Sequence, residues 1–133
     1  EMCIRDSVTI ISPSMYILRH LPVEFNGNIY ILGGAYNRKY DMNFGSVTNR
    51  EAGEYRYDAA VISASAIQRE TEEVMGADPD VTAIKQIAMA RAGKKLLVAD
   101  SSKYSANAVI TFAQLSDFDE VITDQIEGEE NEQ

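Results

Sequence analysis

Short apolar runs recur along the chain, and each stops at glycine, proline, serine or aspartate. Val8-Thr9-Ile10-Ile11 is β-branched and ends at Ser12-Pro13-Ser14, where proline removes a backbone donor, so the pattern predicts a buried strand running into a loop. Met15, Tyr16, Ile17, Leu18 and Leu21 then follow at helical spacing, with Ser14 placed to cap a short helix. Asn26-Gly27 predicts a turn, and Ile29-Tyr30-Ile31-Leu32 a second strand closed by Gly33-Gly34. A glycine pair there implies positive φ or a close approach of backbone.

Residues 35–44 are polar and aromatic without a period, which predicts a long functional loop. Residues 46–57 are weakly helical and interrupted by Gly53. Asp58 leads into a third strand, Ala59-Ala60-Val61-Ile62-Ser63, and residues 68–80 read as a charged connection. Asp78-Pro79 starts a helix in which Val81, Ile84, Ile87 and Ala88 share a face, and Gly93 is expected to end it. Lys95-Leu96-Leu97-Val98-Ala99 has the continuous apolar character of a strand covered on both sides. Val109-Ile110-Thr111-Phe112 and Glu120-Val121-Ile122-Thr123 supply two more strands around a turn at Leu115-Ser116-Asp117-Phe118. Alternation of this kind predicts an α/β fold built on a mostly parallel, doubly wound sheet, whose ligands sit beyond the carboxyl ends of the strands.

With 133 residues, 45% of them hydrophobic, the chain suits one domain over residues 8–124, and a single cysteine excludes a disulfide scaffold. The net charge of −9 gathers partly in Glu127, Glu129, Glu130 and Glu132, so residues 125–133 are expected to be an acidic disordered tail. The remaining body is still mildly acidic, which argues against direct nucleic-acid binding, and no apolar run is long enough for a membrane span. Glu1-Met2-Cys3-Ile4-Arg5-Asp6-Ser7 leads into no secretory pattern and resembles the translated transposon end of a sequencing library. Residues 1–7 are therefore expected to be a non-native leader, and the location cytoplasmic.

Three polar clusters follow predicted strands: Ser12 with Ser14, Gly33 with Gly34, and Asp100-Ser101-Ser102-Lys103. Hydroxyls, glycine N–H groups and one ammonium are the parts that hold a phosphate, and Arg38 and Lys39 add charge from the loop after the glycines. Serine and glycine also fill ordinary turns. His20 reads as a surface residue at a helix end, and Met15, Met75 and Met89 as core filler. Glu70, Glu72 and Glu73 read as a solvated face. No Cys/His pattern suggests a metal, and no cofactor is expected.

Ile31-Leu32-Gly33-Gly34, Asp58-Ala59-Ala60-Val61-Ile62-Ser63-Ala64-Ser65 and Leu97-Val98-Ala99-Asp100-Ser101-Ser102-Lys103-Tyr104, with Leu115-Ser116-Asp117-Phe118-Asp119 and Val121-Ile122-Thr123-Asp124, occur in an order that resembles the C-terminal sensor domain of DeoR-family transcriptional regulators. The resemblance implies the fold of ribose-5-phosphate isomerases, glucosamine-6-phosphate deaminases and coenzyme A transferases. It also implies a sensor for a phosphorylated sugar or related metabolite, modulating DNA binding by an N-terminal helix-turn-helix domain that this chain lacks, and a homo-oligomer when intact.

By position, Ser12 and Ser14 match a loop usually Thr-Asn-Ser or Thr-Asn-Gly, Gly33 and Gly34 a glycine pair, Lys103 the lysine after Asp-Ser-Ser, and Lys39 a loop position often basic. Lys103 with Ser101 and Ser102 would contact the phosphate, beside a serine wall and a glycine backbone. Pro13 stands for the usual asparagine, and Ala83 for the acid that precedes a helix lysine matching Lys85. The family's first sensor strand and glycine-threonine loop belong before Val8, so a truncated reading frame is expected. The alternative is a phosphosugar isomerase or deaminase with Asp100 as general base. A third reading is a module that only oligomerises.

Overall fold

The computed structural model describes residues 8–124, so the expected leader and acidic tail lie outside the described residues. The chain forms two compact units, the first ending at Glu54 and the second beginning at Tyr55.

In the first unit, β1 (Thr9–Ser12) and β2 (Asn28–Ile31) pair in parallel, with Thr9 opposite Asn28 and Ser12 opposite Ile31. Parallel neighbours need a crossover, and α1 (Met15–His20) lies on it. Ser14 caps this helix as its sequence position predicts, its Oγ accepting from Ile17 N at 3.1 Å.

Residues 35–44 depart from the expected loop. They form an antiparallel hairpin of β3 (Ala35–Asn37) and β4 (Met42–Phe44). Its turn is set by Asn37 Oδ1, which accepts from Tyr40 N at 3.0 Å, and by Asp41 in the left-handed region at φ 54°. Asn43 N donates to Pro13 O at 2.9 Å and Met15 N to Asp41 O at 3.0 Å, tying the hairpin to the loop after β1. Strands of three residues are too short to display alternation in sequence. A short helix, α2 (Ser46–Ala52), ends at Gly53, where the sequence shows its interruption.

The second unit is organised by a parallel sheet of β5 (Tyr57–Ser63), β8 (Ala92–Val98) and β10 (Glu120–Ile122), in the order β10-β8-β5. Val61 pairs with Leu96, and Ser63 and Ile122 both pair with Val98, so the three strands finish in register. Between β5 and β8 runs α3 (Pro79–Ala90), capped by Asp78 Oδ1 on Asp80 N at 2.8 Å. Ala60, Ile62 and Leu97 pack with Ile67, Val74, Phe112 and Phe118 in one core. Ile67, Val74 and Leu97 are at most 1% exposed, and burying each contributes about 1.5–3 kcal/mol.

The α/β class and the parallel sheet agree with the sequence pattern, but two details do not. The charged connection at 68–80 contains β7 (Glu73–Gly76), which pairs antiparallel with β6 (Ala66–Ile67) and β9 (Ile110–Gln114). Val74 and Met75 are buried there, but two apolar residues behind a run of acids carry no readable period. Gly93 does not end α3: Arg91 caps the helix through its N–H, and Gly93 already belongs to β8.

Candidate functional site

Because β5, β8 and β10 run parallel, their carboxyl ends open on one side of the second unit, where α/β sheets hold their ligands. A pocket of about 590 Å³ lies there. Ala64, Val98, Ala99 and Ile122 give it an apolar lining, and Ser63, Asp100, Lys103 and Asp124 a polar one. A second pocket, of about 480 Å³, sits at the opposite ends of the strands between Arg56 and Gly93.

Asp100-Ser101-Ser102-Lys103 leaves β8 directly into a 3-10 turn, Ser101–Ser105. Asp100 caps it: Oδ1 accepts from Ser102 N at 3.0 Å and from the Ser102 hydroxyl. The hydroxyl above all, then the Ser102 N–H and the Lys103 ammonium, hold the Asp100 carboxyl below its ordinary range. Ser101 N donates to Asp124 Oδ1 at 3.0 Å, and Ser105 Oγ to Ser102 O at 3.2 Å. The turn's first N–H groups thus already serve internal carboxylates. Lys103 differs, having no ion pair or side-chain hydrogen bond among the described residues.

Lys85 belongs to the same neighbourhood, although its sequence position places it only as a helix lysine. Its Nζ donates to Ser63 O at 2.8 Å, at the end of β5, and lies 5.2 Å from the centre of the Phe112 ring. Burial first, and the Lys103 charge second, lower its pKa to about 8. The signal in the sequence is spacing: Lys85 lies four residues after Val81 and three before Ala88, at the edge of the apolar face of α3.

The other predicted site residues lie in the first unit. Ser12 is buried, and its Oγ accepts from Ser14 N at 3.1 Å, while Ser14 Oγ caps α1. Gly33 N donates to Glu51 Oε1 at 2.7 Å, and the buried Thr48 hydroxyl donates to Gly33 O. Gly34 has φ +121°, and a Cβ there would run into Thr48 Oγ1, so both reasons for a glycine hold. Lys39 is exposed, its Nζ 5.3 Å from the centre of the Tyr40 ring. Arg19, absent from the sequence-based candidates, forms an ion pair with Asp41, which also accepts from Tyr36 OH at 2.7 Å.

His20 stacks on Tyr16 with ring centres 4.0 Å apart, and its Nδ1 lies 2.8 Å from Tyr16 O, at the helix end where it is expected. Among the described residues no cluster of three His, Cys, Asp or Glu suits a metal, and no helix is long and apolar enough to cross a membrane.

Comparison with known proteins gives this geometry a family. The model of the DeoR C terminal sensor domain matches residues 1–125. The HTH-type transcriptional repressor GlcR of Bacillus subtilis is 25% identical over 118 residues, covering 89% of this chain and 45% of the repressor. The L-fucose operon activator of Haemophilus influenzae is 23% identical over 117 residues, covering 88% of this chain and 47% of the activator. The chain thus spans about half the length of these relatives, both of them named as regulators of transcription or of an operon. With a family match across nearly its whole length, the chain belongs to the DeoR C terminal sensor domains.

Proposed function

We propose that the chain is the effector-sensing part of a bacterial transcriptional regulator of sugar metabolism. It binds a phosphorylated sugar or related metabolite and so modulates DNA binding by a helix-turn-helix domain outside this chain. The observation that carries the reading is Lys103, an ammonium with no salt bridge or side-chain hydrogen bond among the described residues, on the wall of a pocket at the carboxyl ends of three parallel strands. An unpaired cation beside apolar residues suits a ligand with one anionic group and a less polar body.

Asp100 fits this better than the isomerase alternative. A general base works best with a pKa near the working pH, whereas Ser102 holds the Asp100 carboxyl low and occupies it as a cap. In the proposed site Ser101, Ser102 and Asp100 shape the turn that presents Lys103. Ser12, Ser14, Gly33, Gly34 and Lys39 remain candidate ligand contacts on the first unit.

The test is titration of the whole regulator with hexose and pentose phosphates and with the free sugars. Lys103→Ala should lower affinity for the phosphate at least about tenfold, the size of a lost charge-assisted hydrogen bond, and leave the far-UV spectrum unchanged. Unchanged affinity would remove Lys103 from the site. Turnover of the sugar phosphate would instead favour the isomerase or deaminase reading.

A further inference from the structure

We propose that Lys85 joins Lys103 as a second ammonium at this strand end, so that the pair takes a dianionic oxyanion of the phosphate monoester class and holds it less tightly as pH rises. The proposal rests on the effector-site reading above, and adds to it a residue and a pH dependence.

The geometry is the first support. Lys103 lines the pocket, and Lys85 is fastened to Ser63 O, on another of its walls, by a 2.8 Å hydrogen bond. That bond uses one of the three donors of an ammonium. On one side the Phe112 ring stands 5.2 Å away. Neither lysine forms a salt bridge among the described residues, although Asp100 and Asp124 line the same pocket and the Lys103 charge acts on Asp100. Two half-buried cations close enough for one to act on the other are unfavourable without a ligand, and a dianion within reach of both would relieve them.

The surroundings leave Lys103 as the charge that acts on Lys85. Of the elements packed against α3, β5 carries Tyr57 and Asp58 at its amino end, and β8 carries Lys94 and Lys95 before its last three residues. Glu73 on β7 accepts from Thr111 Oγ1, and β9 has no titratable side chain. The Lys103 charge acts on Asp100 as well, and Asp100 is not among the groups that act on Lys85.

Burial and Lys103 bring Lys85 to about 8, so the empty site loses its second charge around that pH. A bound dianion favours the ammonium, so binding above pH 8 must take up a proton. Affinity then falls by up to tenfold per pH unit until the pKa of the complex is passed. Well below pH 8 Lys85 is already an ammonium and affinity is flat for a ligand that stays dianionic.

Sulfate meets that condition throughout the range, so any pH dependence belongs to the protein. The experiment titrates the protein with sulfate between pH 7 and pH 9.5, reading the lysine side-chain NMR signals. The expected result is that Lys85 and Lys103 shift along one binding curve and that affinity drops about tenfold across the range. Lys85→Arg, which keeps a charge at every pH used, should flatten the profile. Lys103→Met should move the Lys85 titration up towards 10.5. If sulfate shifts Lys103 alone with an affinity indifferent to pH, the pair is refuted and the single-lysine site stands. If it shifts neither lysine, the effector-site reading falls together with the pair. Because the wild-type profile and Lys85→Arg carry the test, it does not depend on a charge-deleting variant that folds.

Discussion

Two strand ends in this chain look alike in sequence and differ in what they leave available. After β2, Gly33-Gly34 offers backbone donors, and after β8, Asp100-Ser101-Ser102-Lys103 offers the same with hydroxyls added. In both, internal carboxylates have taken the donors: Glu51 on Gly33 N, Asp124 on Ser101 N and Asp100 on Ser102 N. The ends differ in how their cations sit: after β8, Lys103 and Lys85 are half-buried with no salt bridge among the described residues, whereas Arg38 and Lys39 after the glycines stand exposed to solvent. Small polar residues at a strand end therefore shape a turn, and half-buried charge beside it decides whether the turn can attract an anion.

Gly34 separates the two strand ends most forcefully. An alanine there must adopt φ +121° and push its Cβ into Thr48 Oγ1, which is held in the fully buried Thr48. Strain and overpacking together should cost about 2–4 kcal/mol, read as a lower urea midpoint. If the glycine end is structural, the signals of Lys85 and Lys103 should stay in place at pH 7 while that stability is lost. A variant as stable as the parent would show that the glycine is not needed for packing.

Next in size is Glu51→Ala, which strips the acceptor from Gly33 N and leaves a partly buried donor unpaired. Such a loss costs about 1–3 kcal/mol. Sulfate that restores stability to this variant, and does nothing for the parent, would show that Glu51 occupies a latent anion position. Equal response in both would mean that the glycine end binds no anion, with or without its carboxylate.

Lys85 sharpens the comparison from the other end, because its charge costs stability. Its pKa is lowered in the folded state from 10.5 to about 8, so between those values the unfolded chain binds more protons and stability rises with pH. Below pH 8 the full penalty applies. Lys85→Met removes it, at the loss of the bond to Ser63 O. After allowance for solvent screening the variant should be about 1 kcal/mol more stable at pH 7. That advantage should vanish by about pH 10.5, and thermal melts across the range follow it.

Most elements that carry the second site were legible because their signals are long or chemically distinct. Leu97 and its neighbours form a continuous apolar run, Asp78-Pro79 announces a helix start, and Ser14 caps where a serine before an apolar periodic segment should. The hairpin β3–β4 and the strand β7 were not, since three or four residues cannot establish a period. β7 lies between the two-residue β6 and the distant β9, so Val74 is flanked by Ile67 on one side and Ala113 on the other. Lys103 was legible from a motif. Lys85 was not placed in the site because its significance lies in the end of β5, 22 residues away, and a spacing like that is set by the fold alone.

The smallest effect expected is that of Asp100→Asn, and it separates two jobs of one carboxylate. Asparagine can still accept from Ser102 N, so the cap is largely kept, while the charge beside Lys103 is lost. The Asp100 carboxyl is held low in the folded chain, so its contribution is present above the ordinary aspartate pKa and disappears as pH falls through the folded value. Melts of the variant and the parent should therefore differ slightly at neutral pH and converge in acid. Sulfate affinity should move the opposite way. Without Asp100 the Lys103 charge is less neutralised, so sulfate should bind more tightly at pH 7 even though the chain is less stable. A variant that loses stability and gains no affinity would mean that Asp100 serves the turn alone, and that the cation surplus at this end owes nothing to its balance with that carboxylate.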